Sequence, residues 1–237
     1  MAVSDDRRIS ICIPTFMRVE MTIEAFEAVY FDERISEIII VDDASNLDVF
    51  NELKEICDAL PKVHLYRNLT NQDCYTNKYI SLTYAINDWC ILLDSDNQIN
   101  KEYLDKLYAH KWETDTVYTP DFAKPNFDFR AYGNLLITKE NVAEYIDKPM
   151  FETMLNAANF FVNRFKYGEV WDKTTDPVTS DSIYMMYRWL SAGNKIQVVE
   201  GLQYDHMVHS GSHYKNNVAR TPQGFHQEIL NNLRALK

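Results

Sequence analysis

Short apolar runs at residues 9–13, 37–41, 63–66 and 89–93 alternate with longer stretches at 19–30, 47–60 and 77–86 whose apolar positions recur with helical spacing. Such a strand–helix alternation, with connections this long, implies parallel strands joined by right-handed crossovers and covered by helices. The first ~100 residues are therefore predicted to form a doubly wound, ligand-binding half. After Asp96 the rhythm changes. The pattern predicts a helix from Asn100, as its N-cap, to 112, a strand at 116–119, and an aromatic, proline-broken stretch over 120–132. A strand at 135–138, one long helix over 151–165, a helix at 180–192 and strands at 195–199 and 202–206 follow. Residues 223–237 read as an amphipathic helix that closes the domain or leads into a further segment. The expected architecture is α/β, a mixed and mostly parallel central sheet flanked by helices. It forms one domain over 1–237, in which 1–99 bind the ligand, 100–222 build the second wall of a cleft, and 223–237 form the C-terminal helix.

Composition narrows the chemistry. The 237 residues carry 35 acidic side chains against 24 Lys and Arg, a formal net charge of −11, which argues against a nucleic-acid partner. Only 6 glycines are present and the first is Gly133, where average usage is roughly 7% of residues. Glycine loops that let backbone amides close on a phosphate are thus excluded from the N-terminal half. A nucleotide held there needs a metal ion or side chains instead. Cys12, Cys57, Cys74 and Cys90 lie too far apart for a CxxC metal site and read as reduced residues of a cytoplasmic protein. No apolar run approaches the ~20 residues that span a bilayer, and the N-terminus is charged.

Candidate chemistry gathers at the ends of the predicted strands. Asp94-Ser95-Asp96-Asn97 directly follows the fourth apolar run. Residues two apart on an extended segment face one side, so both carboxylates can meet one ligand at the end of a buried strand. Paired oxygen donors there suit Mg²⁺ or Mn²⁺, and a polar strand end leading into the Asn100 cap is the plainer alternative. Asp42-Asp43-Ala44-Ser45 ends the second strand, and Ile13-Pro14-Thr15 the first.

The opening Ser10-Ile11-Cys12-Ile13-Pro14-Thr15-Phe16-Met17-Arg18, then Val41-Asp42-Asp43-Ala44-Ser45, an Asn-containing helix and an apolar strand ending in Asp-x-Asp resemble the inverting glycosyltransferases of family 2. The order and spacing match over about the first 100 residues. The resemblance implies the nucleotide-sugar transferase fold called GT-A. It also implies that Pro14, Thr15 and Arg18 line a nucleotide pocket, that Asp43 hydrogen-bonds the base, and that Lys78, with Asn77, approaches the base or ribose. Asp94, beside Ser95, would meet the ribose, and Asp96 would be the principal ligand of a Mn²⁺ or Mg²⁺ ion, with Asp94 nearby.

Three later segments extend the resemblance, the third only in part. Thr179-Ser180-Asp181-Ser182 stands where the family has a Glu-Asp pair opening a helix; Ser180 replaces the Glu, and Asp181 keeps the place of the catalytic base. Ser180 is equally a natural N-cap and Asp181 an acidic first-turn residue. The loop after the last predicted strand carries His206 and His209, either of which could complete a metal shell, or which could be incidental surface histidines. Tyr187-Arg188-Trp189 resembles part of the Gln-x-x-Arg-Trp motif of processive synthases, but Met185 occupies the glutamine position.

The expected function is metal-dependent, inverting transfer of a sugar from a nucleoside diphosphate, a UDP-sugar first of all, to an acceptor hydroxyl on a glycan. Two alternatives remain open on the sequence: a silent nucleotide-sugar or glycan-binding module, and a haloacid-dehalogenase-type phosphatase. The last usually carries its Asp-x-Asp after the first strand and wants Thr or Val where this chain has Gln98.

Overall fold

Ile9, Ile11 and Ile13 are wholly buried, as are the residues between them on the other face of the strand. A strand covered on both faces belongs in the middle of a parallel sheet, and each such branched side chain contributes about 1.5–3 kcal/mol on burial. The computed structural model describes residues 7–156, 159–207 and 213–237. Its first half runs β1 (Ile9–Thr15), α1 (Glu20–Glu27), β2 (Ile35–Asp42), α2 (Leu47–Asp58), β3 (Val63–Arg67), α3 (Asp73–Tyr84) and β4 (Trp89–Leu92). The predicted alternation is present, with α3 starting four residues earlier than its apolar spacing suggested.

The second half contains β5 (Asn97–Gln98), α4 (Lys101–Tyr108), β6 (Thr116–Lys124), β7 (Phe127–Asp128), β8 (Leu136–Ile137), α5 (Val142–Tyr145) and α6 (Phe151–Asn156). It continues with β9 (Phe160–Asn163), α7 (Arg164–Val170), α8 (Asp181–Ser191), β10 (Lys195–His206), α9 (His213–Asn217) and α10 (Phe225–Ala235). The Asn100 side chain accepts from the Tyr103 backbone N–H at 3.1 Å, as expected of the N-cap of α4.

The strands form one sheet in the order β3-β2-β1-β4-β9-β6-β10-β5, with β7 paired to β6 and β8 to β10. β3, β2, β1 and β4 are mutually parallel, β6 and β10 are parallel, and β9 runs antiparallel to both of its neighbours. The expectation of a mixed, mostly parallel sheet flanked by helices holds.

One element differs. The single helix expected over 151–165 is broken into α6, β9 and α7. Phe160, Phe161 and Val162 are buried between β4 and β6, where aromatic and β-branched side chains fit a pleated surface, and the Asn163 side chain then caps α7 by accepting from the Lys166 N–H at 3.2 Å. The two strands expected at 195–199 and 202–206 are one strand, β10, interrupted by a bulge. Val199 pairs with Pro120 and Gln203 with Phe122, so four steps along β10 match two along β6. Gly201 makes this bulge with φ +75°, and its N–H donates to Asp121 Oδ2 at 2.8 Å. A Cβ there would sit 2.8 Å from Lys106 Nζ.

Candidate active site

The first three crossovers place β2 on one side of β1 and β4 on the other. At that reversal of strand order the helices leave to opposite sides and a crevice opens at the carboxyl ends. A cavity of about 1600 Å³ lies there. It gathers every candidate residue that the structure describes: Pro14, Thr15 and Arg18 after β1, Asp43 after β2, Lys78 on α3, Asp94, Ser95 and Asp96 after β4, Asp181 at the start of α8, and His206 at the end of β10. His209 lies outside the described residues. A second, smaller cavity at the amino ends of β1 and β4 is lined by Arg7, Arg8 and Trp112 and holds no carboxylate pair.

Each of these side chains is set by its loop. After β1, Thr15 and Thr22 share a hydroxyl hydrogen bond of 2.7 Å, and Thr22 Oγ1 donates to the Arg18 carbonyl at 2.6 Å. This fixes the turn that sends the Arg18 guanidinium across to Asp96, with Nη1 2.9 Å from Oδ2 and 3.2 Å from Ser95 Oγ. The two aspartates after β2 divide their work. Asp42 accepts the Ser45 N–H and lies 3.4 Å from Arg67 Nε, which holds the loop, whereas Asp43 lines the cavity. Asp43 Oδ1 accepts from the Asn68 amide and the Gln72 N–H, both at 2.8 Å. Burial raises the Asp43 carboxyl above its ordinary value against those hydrogen bonds.

Lys78 is the electrostatic centre. Its Nζ lies 2.6 Å from Asp181 Oδ2, 3.3 Å from Asp94 Oδ1 and 3.2 Å from Ser182 Oγ, and the side chain is 4% exposed. Burial alone would pull this ammonium down, but the carboxylates of Asp181 and Asp94 outweigh it and hold the group well above its usual range. Asp94 shows the opposite balance. Burial raises its carboxyl, Lys78 opposes the rise, and Asp96 and Asp181 add repulsion, so that it is pushed up to about 6. Negative charge is crowded at the tip of β4 beyond what Lys78 neutralises.

This crowding bears on the divalent ion. Mg²⁺-like sites need only one or two protein carboxylates, the rest of the shell coming from water and substrate phosphate. Asp94 and Asp96 fit such an ion, although Arg18 engages Asp96 at present. Among the described residues no three His, Cys, Asp or Glu side chains converge as a ready-made metal cluster. His206 is aimed by a chain of amides: Asn97 Nδ2 donates to Asn159 Oδ1 at 3.3 Å, which turns Asn97 Oδ1 toward His206 Nδ1 at 2.9 Å. Asn159 Oδ1 also accepts the Asp94 N–H at 3.1 Å. One buried amide thus positions both the acidic turn and the imidazole.

Three further features escaped the sequence. Cys74 Sγ lies 3.7 Å from Asp181 Oδ2, and burial pushes its thiol well up. Ser180 precedes α8 but its hydroxyl does not cap the helix; it meets His226 Nδ1 at 2.8 Å, and His226 Nε2 meets Glu152 Oε1 at 2.6 Å. Finally, Met17 and Ala44, in the loops after β1 and β2, and Asp73, the first residue of α3, have φ of 56°, 62° and 65°. These are turns that glycine usually makes.

Comparison with known proteins agrees with this geometry. The family model described as Glycosyl transferase family 2 matches residues 10–175. An uncharacterized glycosyltransferase of Rickettsia felis is 30% identical over 118 residues, 49% of this chain and 19% of that protein; one of Rickettsia conorii matches equally. The matched stretch is about a fifth of the length of these relatives. Among solved structures, S. aureus TarS 1–349 in complex with UDP-GlcNAc has a TM-score of 0.67 at 16% identity, over 88% of this chain and 60% of that one. The mannosyltransferase PcManGT from Pyrobaculum calidifontis, in complex with GDP-Man and Mn²⁺, has a TM-score of 0.65 at 11% identity, over 98% and 70%. At these identities the structural likeness speaks for the fold, and the family match speaks for kinship. The chain belongs to glycosyl transferase family 2 and has the GT-A fold.

Proposed function

We propose that this family 2 glycosyltransferase uses a nucleoside-diphosphate sugar, a UDP-sugar first of all, and transfers the sugar with inversion to an acceptor hydroxyl on a glycan. The observation that carries the reading is the convergence of Asp43, Asp94, Asp96 and Asp181 on one cavity at the switch point of the sheet, with Lys78 joining Asp94 to Asp181. The UDP-GlcNAc and GDP-Man held by the two structural neighbours lend support. In this reading residues 1–99 hold the donor, and the rest of the chain faces the acceptor.

Pro14, Thr15 and Arg18 line the nucleotide, and Asp43 accepts the imide N–H of a uracil. Asp94 and Ser95 face the ribose, and Lys78, expected from the resemblance to approach the base or ribose, offsets the repulsion between Asp94 and Asp181 by pairing with both. Asp96, with Asp94 and His206, would hold Mn²⁺ or Mg²⁺; that ion, when bound, supplies positive charge against the diphosphate. Asp181 takes the proton from the acceptor hydroxyl as its oxygen bonds to the anomeric carbon. The bond from that carbon to the diphosphate oxygen breaks on the opposite face, and the nucleoside diphosphate leaves with the electron pair. One displacement inverts the centre.

Thermal unfolding with UDP, GDP and their sugars, each with and without Mn²⁺, tests the donor assignment, since a ligand of the folded state raises the midpoint. The reading expects a shift with UDP that grows with Mn²⁺. It also expects Asp181→Asn to retain the UDP shift while losing transfer. The absence of any nucleotide shift would overturn it.

A further inference from the structure

The contact between Ser180, His226 and Glu152 joins three separate elements at the wall of the cavity next to Asp181. Ser180 is buried and its own N–H already donates to Pro177 O at 2.9 Å. A serine before a helix ordinarily turns its hydroxyl back on the first turn, and here it does not. It turns outward to His226, the second residue of α10. That helix is anchored from behind: Ile229, Leu230 and Leu233 are buried, and Arg234 pairs with Asp147 at 2.7 Å. The Thr179 and Thr221 hydroxyls, 2.7 Å apart, tie the approach to α10 onto the turn before α8. The imidazole is therefore held at the wall from both sides.

The chain of contacts runs from the carboxylate inward. A Glu152 carboxylate oxygen only accepts, so His226 Nε2 carries a proton toward it, and His226 Nδ1 shares the second hydrogen bond with the Ser180 hydroxyl, which can donate or accept. Glu152 is 47% exposed and His226 34%, so the open end of the chain is the carboxylate. A carboxylate offers about four lone-pair positions, and the imidazole takes one. The site calls for hydroxyl donors. An anion would enter only with a countercharge of its own, such as the divalent ion of the donor reading, because the cavity is lined by eight Asp and Glu side chains, Glu152 among them, against Arg18, Lys78 and Lys215 among the described residues.

We propose that Glu152, backed by His226 and Ser180, forms an acceptor subsite that reads a second hydroxyl of a neutral saccharide beside the hydroxyl presented to Asp181. The proposal rests on the donor reading above for the role of Asp181, but the subsite itself is a statement about saccharide binding. Glu152 touches the ligand; His226 and Ser180 are positioning residues that fix the carboxylate and its orientation.

Saturation-transfer NMR tests it on the whole chain, with and without UDP and Mn²⁺. The probes are methyl glucoside, methyl galactoside, methyl N-acetylglucosaminide and lactose, with glucuronate as the anionic control. At least one neutral probe is expected to bind the wild type better than glucuronate does. Glu152→Ala should weaken it at least about tenfold, the effect of losing one hydrogen bond to a charged group, while Glu152→Gln retains part of the affinity. His226→Gln and Ser180→Ala should fall between the two, with UDP affinity by calorimetry unchanged in protein that a melting profile shows to be folded. A protein that binds the saccharide through Glu152 but not UDP supports the subsite and removes the donor assignment. Saccharide binding indifferent to Glu152→Ala and His226→Gln, a preference for glucuronate, or no binding of any probe would overturn the proposal.

Discussion

Lys78 Nζ stands 2.6 Å from Asp181 Oδ2, a contact that bridges 103 residues and ties the first half of the chain to the second. Because the ammonium is buried and also faces Asp94, its removal takes a shared countercharge away from two carboxylates. Lys78→Met should therefore destabilise the fold by about 3–5 kcal/mol in urea denaturation. Adding Asp181→Asn to Lys78→Met should recover part of that loss, because the stranded charge goes with its partner. Strict additivity of the two substitutions would show that the pair is not coupled.

Arg18 and Asp96 make the opposite kind of pair, one that an incoming ligand must reorganise. With Nη1 at 2.9 Å from Oδ2, the guanidinium occupies a carboxylate expected to receive a divalent ion. Arg18→Gln should tighten binding of Mn²⁺ alone several-fold, corresponding to about 1 kcal/mol for a partly buried ion pair. The same substitution should weaken UDP in the presence of Mn²⁺, since a positive contact to the diphosphate is lost. Calorimetric titration of the two ligands separates these effects, and an unchanged Mn²⁺ affinity would remove Asp96 from the metal assignment.

The left-handed backbone at Ala44 offers a third test. In a chain whose first 132 residues hold no glycine, the turn carrying Asp43 into the cavity is made by an alanine at φ 62°. An L-residue there costs about 1–2 kcal/mol, and glycine gives back part of that gain through its freer unfolded state. Ala44→Gly is expected to stabilise by about 0.5–1 kcal/mol. A lower melting midpoint would show that the alanine is not strained.

The legible parts of this protein are those written locally. Strand–helix alternation over the first ~90 residues is a matter of period and length, and Asp43, Asp94 and Asp96 stand out because a strand must end in polar residues somewhere. Their meeting in one cavity follows from the strand order, which parallel crossovers dictate. β9 was illegible because Phe160-Phe161-Val162 is short, apolar and flanked by helix formers, so its period is ambiguous. Only its non-local antiparallel pairing with β4 decides the matter. His226 and Glu152 carried no signal, and Ser180 signalled only a helix cap that its hydroxyl does not make, since the contacts among the three span 46 and 74 residues.

Asp172 links the fold to pH. Its carboxylate accepts from the Thr174 N–H at 2.9 Å, the Thr174 hydroxyl at 2.7 Å, the Thr175 hydroxyl at 2.8 Å and the Tyr184 hydroxyl at 2.9 Å, stapling the loop before α8 to that helix. The Thr174 N–H and hydroxyl above all, then Thr175 and Tyr184, hold this carboxyl well below the usual carboxylate range. A group whose value is depressed in the fold stabilises it at every pH above its unfolded value, about 3.9, and the stabilisation is lost as pH falls below that. Asp172→Ala should cost about 1.5–3 kcal/mol at neutral pH, the range for hydrogen bonds to a charged group. Subtracting the variant's stability from that of the wild type cancels the titration of the other carboxylates, so the difference should shrink steadily from about pH 4 downward. A gap that stays constant to the acid end would mean that the loop is held by shape and neutral hydrogen bonds, and that the charge on Asp172 contributes nothing to the wall on which Asp181 stands.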